Sequence, residues 1–167
     1  MSATIKNVLF LCTGNSARSI MAEALLDTLG KQRFRAFSAG SHPAGQVQPM
    51  AAELARRAGY EGELRSKSWD EFAQADAPNM DIVITVCDDA AGEACPVWPG
   101  KPITAHWGVA DPAAVAGDEE TRRRAYLGAW ALLRRRVQLL LSLPLEKLDR
   151  LASTEALKSI GSRGDQA

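Results

Sequence analysis

Cys12 stands five residues ahead of an arginine and a serine, in Cys12-Thr13-Gly14-Asn15-Ser16-Ala17-Arg18-Ser19. Five residues between Cys and Arg can close into a ring whose backbone N–H groups point inward. Gly14 accepts any backbone angle and Asn15 tolerates the left-handed region, so the tight curvature is feasible. Such a nest of amides, capped by a helix N-terminus, binds a tetrahedral oxyanion. Arg18 returns to the rim and can grip two oxygens at once. The same positive surroundings suit a thiolate nucleophile at Cys12, with Ser19 placed to donate a hydrogen bond to its sulfur. A Cys-x5-Arg spacing also arises by chance, as a buried cysteine and an unrelated arginine. It carries weight only at a strand–turn–helix junction. The nucleotide patterns G-x-G-x-x-G and G-x-x-x-x-G-K-[ST] are absent, so a nucleotide fold is not indicated.

The other two cysteines are Cys87 and Cys95. An odd count without a signal peptide is no disulfide framework, so the thiols are either buried filler or chemistry. His42 and His106 are the only histidines. Two histidines without clustered thiolates make no metal site, so both read as structural and no metal is expected.

The surrounding pattern supplies the junction. Val8-Leu9-Phe10-Leu11 reads as a buried strand ending at Cys12. Met21, Leu25 and Leu29 then recur at helical spacing, with Gly30 suited to the cap. A second strand fits Phe34 to Ser38 and a helix fits Pro49 to Ala58. Ser68 can cap a short helix starting at Trp69. Ile82-Val83-Ile84-Thr85-Val86 is an unbroken β-branched run suited to a parallel sheet covered on both faces, and it ends at Cys87. Ile103 to His106 fits a last strand, followed by a loop with Asp111-Pro112. A long helix follows, with Asp118, Glu119 and Glu120 in its first turn. Its apolar stripe is Tyr126, Trp130, Leu133, Val137 and Leu140. The triplets Arg122–Arg124 and Arg134–Arg136 read as a solvated face. Pro144 breaks or kinks this helix. Leu145, Leu148 and Leu151 allow another helical stretch, and disorder is expected from Ser159 on. The class is therefore α/β, a small parallel sheet of about four strands flanked by helices. Cys12, Cys87 and Asp111 all fall near the carboxyl ends of strands, where such sheets bind ligands.

The stretch Val8 to Glu23, VLFLCTGNSARSIMAE, resembles the low-molecular-weight protein tyrosine phosphatase superfamily, and most of all the arsenate reductases built on that fold. The resemblance continues through Phe37-Ser38-Ala39-Gly40, Thr85-Val86-Cys87-Asp88, Cys95-Pro96, His106-Trp107-Gly108 and Asp111-Pro112, and so covers about residues 5 to 140. It implies that Cys12 attacks the oxyanion and that Asp111 is the general acid, because an oxygen expelled from a tetrahedral oxyanion leaves more easily when protonated. Without the Cys12 loop, Asp-Pro would read as a simple turn. Phosphatases of this kind carry aromatic residues after the Asp-Pro pair, where this chain has Ala113 and Ala114. They have no need of further thiols, whereas Cys87 and Cys95 match the reductases' relay. The resemblance implies a Cys12–Cys87 disulfide, then a Cys87–Cys95 disulfide passed to an external reductant, with residues 88–95 rearranging.

Departures bear on two points. The Cys87–Cys95 gap is about one residue longer than in the thioredoxin-linked members, so thioredoxin and glutathione with glutaredoxin both stay open as donor. Some members bind potassium behind the loop. Asn15, Glu23 and Ser38 match three of those ligands, but Trp69 stands where a carboxylate is expected, which counts against the site.

The resulting expectation is an arsenate reductase that binds no cofactor and takes arsenate or phosphate in the loop formed by Thr13 to Ser19. Residues 1–143 form the catalytic domain and 144–167 an extension, partly helical and then disordered. Alternatives are a phosphatase acting on phosphotyrosine or small phosphoesters, and a non-catalytic oxyanion-binding or redox-sensing protein. The chain has 167 residues, with twenty Lys+Arg against twenty Asp+Glu. That is one ordinary domain with no basic face for nucleic acid. With no membrane span and no signal peptide, a cytoplasmic location is expected.

Overall fold

The computed structural model describes residues 5–87, 98 and 101–163. Expectations for residues 88–95, for Cys95, Pro96 and Pro99, and for residues 164–167 lie outside them.

Four parallel strands form the sheet, β1 (Lys6–Cys12), β2 (Phe34–Gly40), β3 (Ile82–Thr85) and β4 (Ile103–His106), in the order β2-β1-β3-β4. Helices α1 (Arg18–Leu29), α2 (Pro49–Arg57), α3 (Glu119–Leu141) and α4 (Arg150–Arg163) flank it, with a 3-10 turn over Trp69–Phe72 capped by Ser68. Side chains alternate across the sheet. Val8, Phe10, Ile82 and Ile84 join the core under α1, α3 and α4, while Leu9, Leu11 and Val83 pack on the other face against Phe72, Met80 and Trp98. Both faces are covered, which is why the strands read as unbroken apolar runs.

Gly30 caps α1 through its N–H on the Leu26 carbonyl, yet its φ is −111° and not left-handed. What the position requires is smallness, since a Cβ there would sit 3.0 Å from both the Leu141 side chain and the Leu26 carbonyl. α3 starts at an Asp118 side chain that accepts from the Thr121 N–H, and it ends at Leu141, ahead of Pro144.

Two expectations are corrected. Arg136 is fully buried, not solvated. It falls three residues after Leu133 and four before Leu140, so the helical period puts it on the inward stripe. Its guanidinium donates to the Gly108 and Gly161 carbonyls at 2.9 and 3.3 Å. The disorder expected from Ser159 is replaced by helix through Arg163. Asp149 starts α4 by accepting from the Ala152 N–H at 2.8 Å, and Leu157 and Ile160, three apart, are buried in the main core. Gly161 looked like a tail residue. It is glycine because a Cβ there would lie 2.1 Å from the His106 carbonyl oxygen, so α4 rests on the end of β4.

Candidate active site

The segment between β1 and α1 is curled by outside groups that hold its carbonyls. The Thr13 carbonyl accepts from the His42 N–H at 2.9 Å, that of Gly14 from the Ala44 N–H at 2.9 Å, and that of Ser16 from the Gln48 N–H at 2.8 Å. Ser66 Oγ also donates to the Gly14 carbonyl at 3.1 Å. The described peptide bonds are all trans. In a trans peptide a carbonyl and the N–H that follows point in opposite directions. Outward carbonyls at 13, 14 and 16 therefore turn the N–H groups of Gly14, Asn15 and Ala17 inward. That of Asn15 reaches Cys12 Sγ at 3.2 Å. α1 begins with no side chain capping it, so its first-turn N–H groups face the same space. The curvature falls on Asn15, at φ 47°, while Gly14 stays outside the positive-φ residues. A second glycine is needed across the way. A Cβ on Gly40 would lie 2.5 Å from the Thr13 carbonyl oxygen, so β2 can back the loop only without a side chain there.

Behind the loop lies a buried polar network. Asn15 Oδ1 accepts from the Lys67 N–H at 2.9 Å, which fixes its amide orientation. Its Nδ2 donates to Ser19 Oγ at 2.7 Å and to Ser38 Oγ at 3.0 Å. Ser19 Oγ also lies 2.9 Å from Cys12 Sγ, placed to donate its hydrogen to a thiolate there. Cys12, Asn15 and Ser19 are all buried, Cys12 with 3% exposure at the bottom of the cradle.

At the rim, Arg18 donates through Nη1 to the Val109 carbonyl at 2.9 Å, and its Nη2 lies 3.6 Å from Asp111 Oδ2. Asp111 Oδ1 accepts from the Ala113 N–H at 3.0 Å, which holds the carboxylate at the mouth. The Val109 N–H pairs with the Val86 carbonyl at 2.9 Å, so the Asp111 loop starts beside Cys87. Cys87 is buried, and its Sγ accepts from the Thr13 N–H at 3.3 Å. Two thiols therefore touch one loop. The fold brings Cys12, Thr13 to Ser19, Cys87 and Asp111 to one end of the sheet, while Cys95 lies outside the described residues.

Lys67, Tyr60 and Arg136 escaped the sequence reading. Lys67 Nζ donates to Ser38 Oγ at 3.2 Å and to the Arg65 carbonyl at 3.0 Å, and lies 3.7 Å from Glu23 Oε1. Tyr60 OH donates to Glu23 Oε2 at 3.0 Å. Burial pushes the Glu23 carboxyl up and the Lys67 ammonium down, and their mutual attraction opposes each shift. A lysine between two serines gives no sequence signal of such burial. This ammonium lies against Glu23 and Ser38, two of the residues that matched potassium ligands, and the Lys67 backbone holds the third, Asn15. The residues present therefore do not fit a potassium ion. Among the described residues, no group of three or more His, Cys, Asp or Glu could hold a metal.

A family model described as low molecular weight phosphotyrosine protein phosphatase matches residues 7–152. An arsenate reductase of Bacillus licheniformis is 36% identical over 130 residues, which is 78% of this chain and 86% of that protein. A solved arsenate reductase from Archaeoglobus fulgidus has a TM-score of 0.57 at 31% identity, covering 78% of this chain and 98% of that one. Another, described as an arsenate reductase in the phosphate binding state, has a TM-score of 0.62 at 30% identity and covers 83% and 98%. The family match takes in β1 from Asn7 on, all of β2 to β4, and every candidate site residue described above. The chain belongs to the low molecular weight phosphotyrosine protein phosphatase family.

Proposed function

We propose that this chain is an arsenate reductase in which Cys12 is the nucleophile, Arg18 and the loop amides hold the oxyanion, Asp111 is the general acid, and Cys87 and Cys95 relay the electrons. The observation that carries the reading is the second thiol on the loop. Hydrolysis of a phosphoester needs one thiol, and Cys87 beside Thr13 has no part in it. Relatives and solved neighbours that bear the name arsenate reductase support the same reading, as do Ala113 and Ala114, which offer no aromatic wall to a phosphotyrosine ring.

The chemistry follows from the positions. The Cys12 thiolate attacks arsenic, forming an S–As bond as an As–O bond breaks. Asp111 protonates the departing oxygen, which leaves as water. The inward N–H groups and Arg18 stabilise the charge on the remaining oxygens. Cys87 then attacks Cys12 Sγ as a thiolate. An S–S bond forms, the S–As bond breaks, and its electron pair stays on arsenic, which falls from As(V) to As(III) and departs as arsenite. Cys95 attacks Cys87 in turn, frees Cys12 and leaves a Cys87–Cys95 disulfide. An external dithiol, thioredoxin or glutaredoxin with glutathione, reduces it by exchange. Such a donor suits a reducing compartment, consistent with a cytoplasmic enzyme.

Coupled assays test the reading. Arsenate should drive NADPH oxidation through a thioredoxin or a glutathione–glutaredoxin system, and hydrolysis of an aryl phosphate should stay slow. Fast aryl phosphate hydrolysis with no arsenate reduction under either donor would make the chain a phosphatase. Neither activity would leave an oxyanion-binding or redox-sensing protein.

A further inference from the structure

The network behind the loop holds a cation that belongs to the chain itself. Lys67 and Glu23 are each only 9% exposed, and among the described residues no other charged side chain enters their hydrogen-bonded set. Ser38 is the hub. Its Oγ donates to Glu23 Oε1 and accepts from both Asn15 Nδ2 and Lys67 Nζ, which uses its one hydrogen and both lone pairs. Asn15 in turn sets the Ser19 hydroxyl against Cys12 and places an N–H on the same sulfur. Lys67 thus acts on the loop twice, through its backbone N–H on Asn15 Oδ1 and through its ammonium on Ser38. Without a cation, Glu23 would be a buried, uncompensated carboxylate, and Ser38 would lose one donor.

We propose that Lys67 is a positioning residue whose ammonium does the work of a bound monovalent cation, so that this chain's oxyanion loop is ordered without potassium. The tether matters because a bound ion must be recruited from solution, whereas an ammonium fixed by the Gly40 N–H on the Lys67 carbonyl at 2.9 Å is present whenever the chain is folded. The chain would then hold its oxyanion equally well in any salt.

The proposal goes beyond the reductase reading and requires only that the loop bind an oxyanion. The probe is inorganic phosphate, read as protection of Cys12 from alkylation, with melting temperature alongside. Neither readout involves arsenate turnover, so failure of one reading leaves the other standing. Full-length wild type and Lys67→Ala are compared in potassium, ammonium and choline chloride at equal ionic strength. Wild type should give one phosphate protection curve and one melting temperature in all three salts. Lys67→Ala in choline should need about 10- to 100-fold more phosphate, the scale of affinity loss when an outer partner that orients the binding groups is removed. Potassium or ammonium, each able to enter the vacated space, should restore most of that loss and raise the melting temperature. If Lys67→Ala is unfolded in choline, refolding on addition of potassium or ammonium supports the proposal, and no refolding in any salt overturns it. A variant carrying both Glu23→Gln and Lys67→Met removes the charge pair, and it should show no response to the choice of cation. A potassium response in wild type or in that double variant overturns the proposal. So does a Lys67→Ala protein that binds phosphate as well as wild type in choline, or one that loses phosphate with no recovery in either cation.

Discussion

Cys12 and Asp111 face the same space from different sides, one at the bottom of the amide ring and the other at its mouth beside Arg18. Their replacement should therefore have separable effects. Cys12→Ser should abolish arsenate reduction while leaving the fold and melting temperature nearly intact, since a serine fits the space and accepts from Asn15 and Ser19. Residual turnover near the wild-type rate would remove Cys12 from the centre of the account. Asp111→Asn should keep oxyanion binding, because Arg18 stays anchored to the Val109 carbonyl. It should lower the first chemical step by about 10²- to 10⁴-fold, the range for loss of a general acid. Rapid-quench measurement of arsenate-dependent thiol loss reads that step, and an unchanged rate would assign the proton to another donor. At this scale the sequence was informative, because Cys-x5-Arg and Asp-Pro are local patterns. It missed Lys67, whose role depends on Glu23, 44 positions away in the chain, and on burial that no local pattern encodes.

The elements that carry these residues are held by α4 as well as by the sheet. Trp107 Nε1 donates to the Leu157 carbonyl at 3.0 Å, and Arg136 bridges the Gly108 and Gly161 carbonyls. The segment leading to Asp111 is thereby fastened to the C-terminal helix. Gly161→Ala would press a methyl group onto the His106 carbonyl. It should cost about 1–3 kcal/mol as an overpacking change and depress turnover by disturbing the acid loop. Truncation after Lys158 removes buried Ile160 and the Gly161 carbonyl, and should destabilise by roughly 2–5 kcal/mol. Urea unfolding measures both, and a truncated protein as stable as the full chain would mean that α4 does not dock in solution. The four strands and α1 to α3 were legible because their apolar periods are regular and glycine or proline punctuates them. The end of α4 was not, since Ile160 is a lone large apolar residue followed by small and polar ones, and only the close fit of Gly161 on β4 reveals its partner.

Across the whole molecule, exposed and half-buried ion pairs tie helices and loops that the sequence could not pair. Arg123 of α3 donates to Glu53 of α2 at 2.6 Å, and Arg65 grips Glu71 with two hydrogen bonds at 2.9 and 3.0 Å. These bonds hold the Glu53 and Glu71 carboxyls below their usual range. A carboxyl depressed in the folded state contributes stability that is present above its unfolded value and lost as pH falls through its folded value. The stability difference between wild type and Glu53→Gln should therefore be present at neutral pH and shrink as pH drops below about 4.5, as followed by urea unfolding. A difference that stays constant into acid would deny the pair any role. No helix among the described residues is long and apolar enough to cross a membrane. The proposed relay would join distant parts of the chain, because Cys12 ends β1, Cys87 lies two residues past the end of the neighbouring β3, and Cys95 lies eight positions further on. Its direct test is disulfide mapping by mass spectrometry after exposure to arsenate without any external reductant. Wild type should give one intramolecular Cys87–Cys95 disulfide and Cys95→Ser a stalled Cys12–Cys87 disulfide, each formed with one equivalent of arsenite. Arsenate reduction that proceeds normally in Cys87→Ser, with no Cys12–Cys87 disulfide in Cys95→Ser, would contradict the relay.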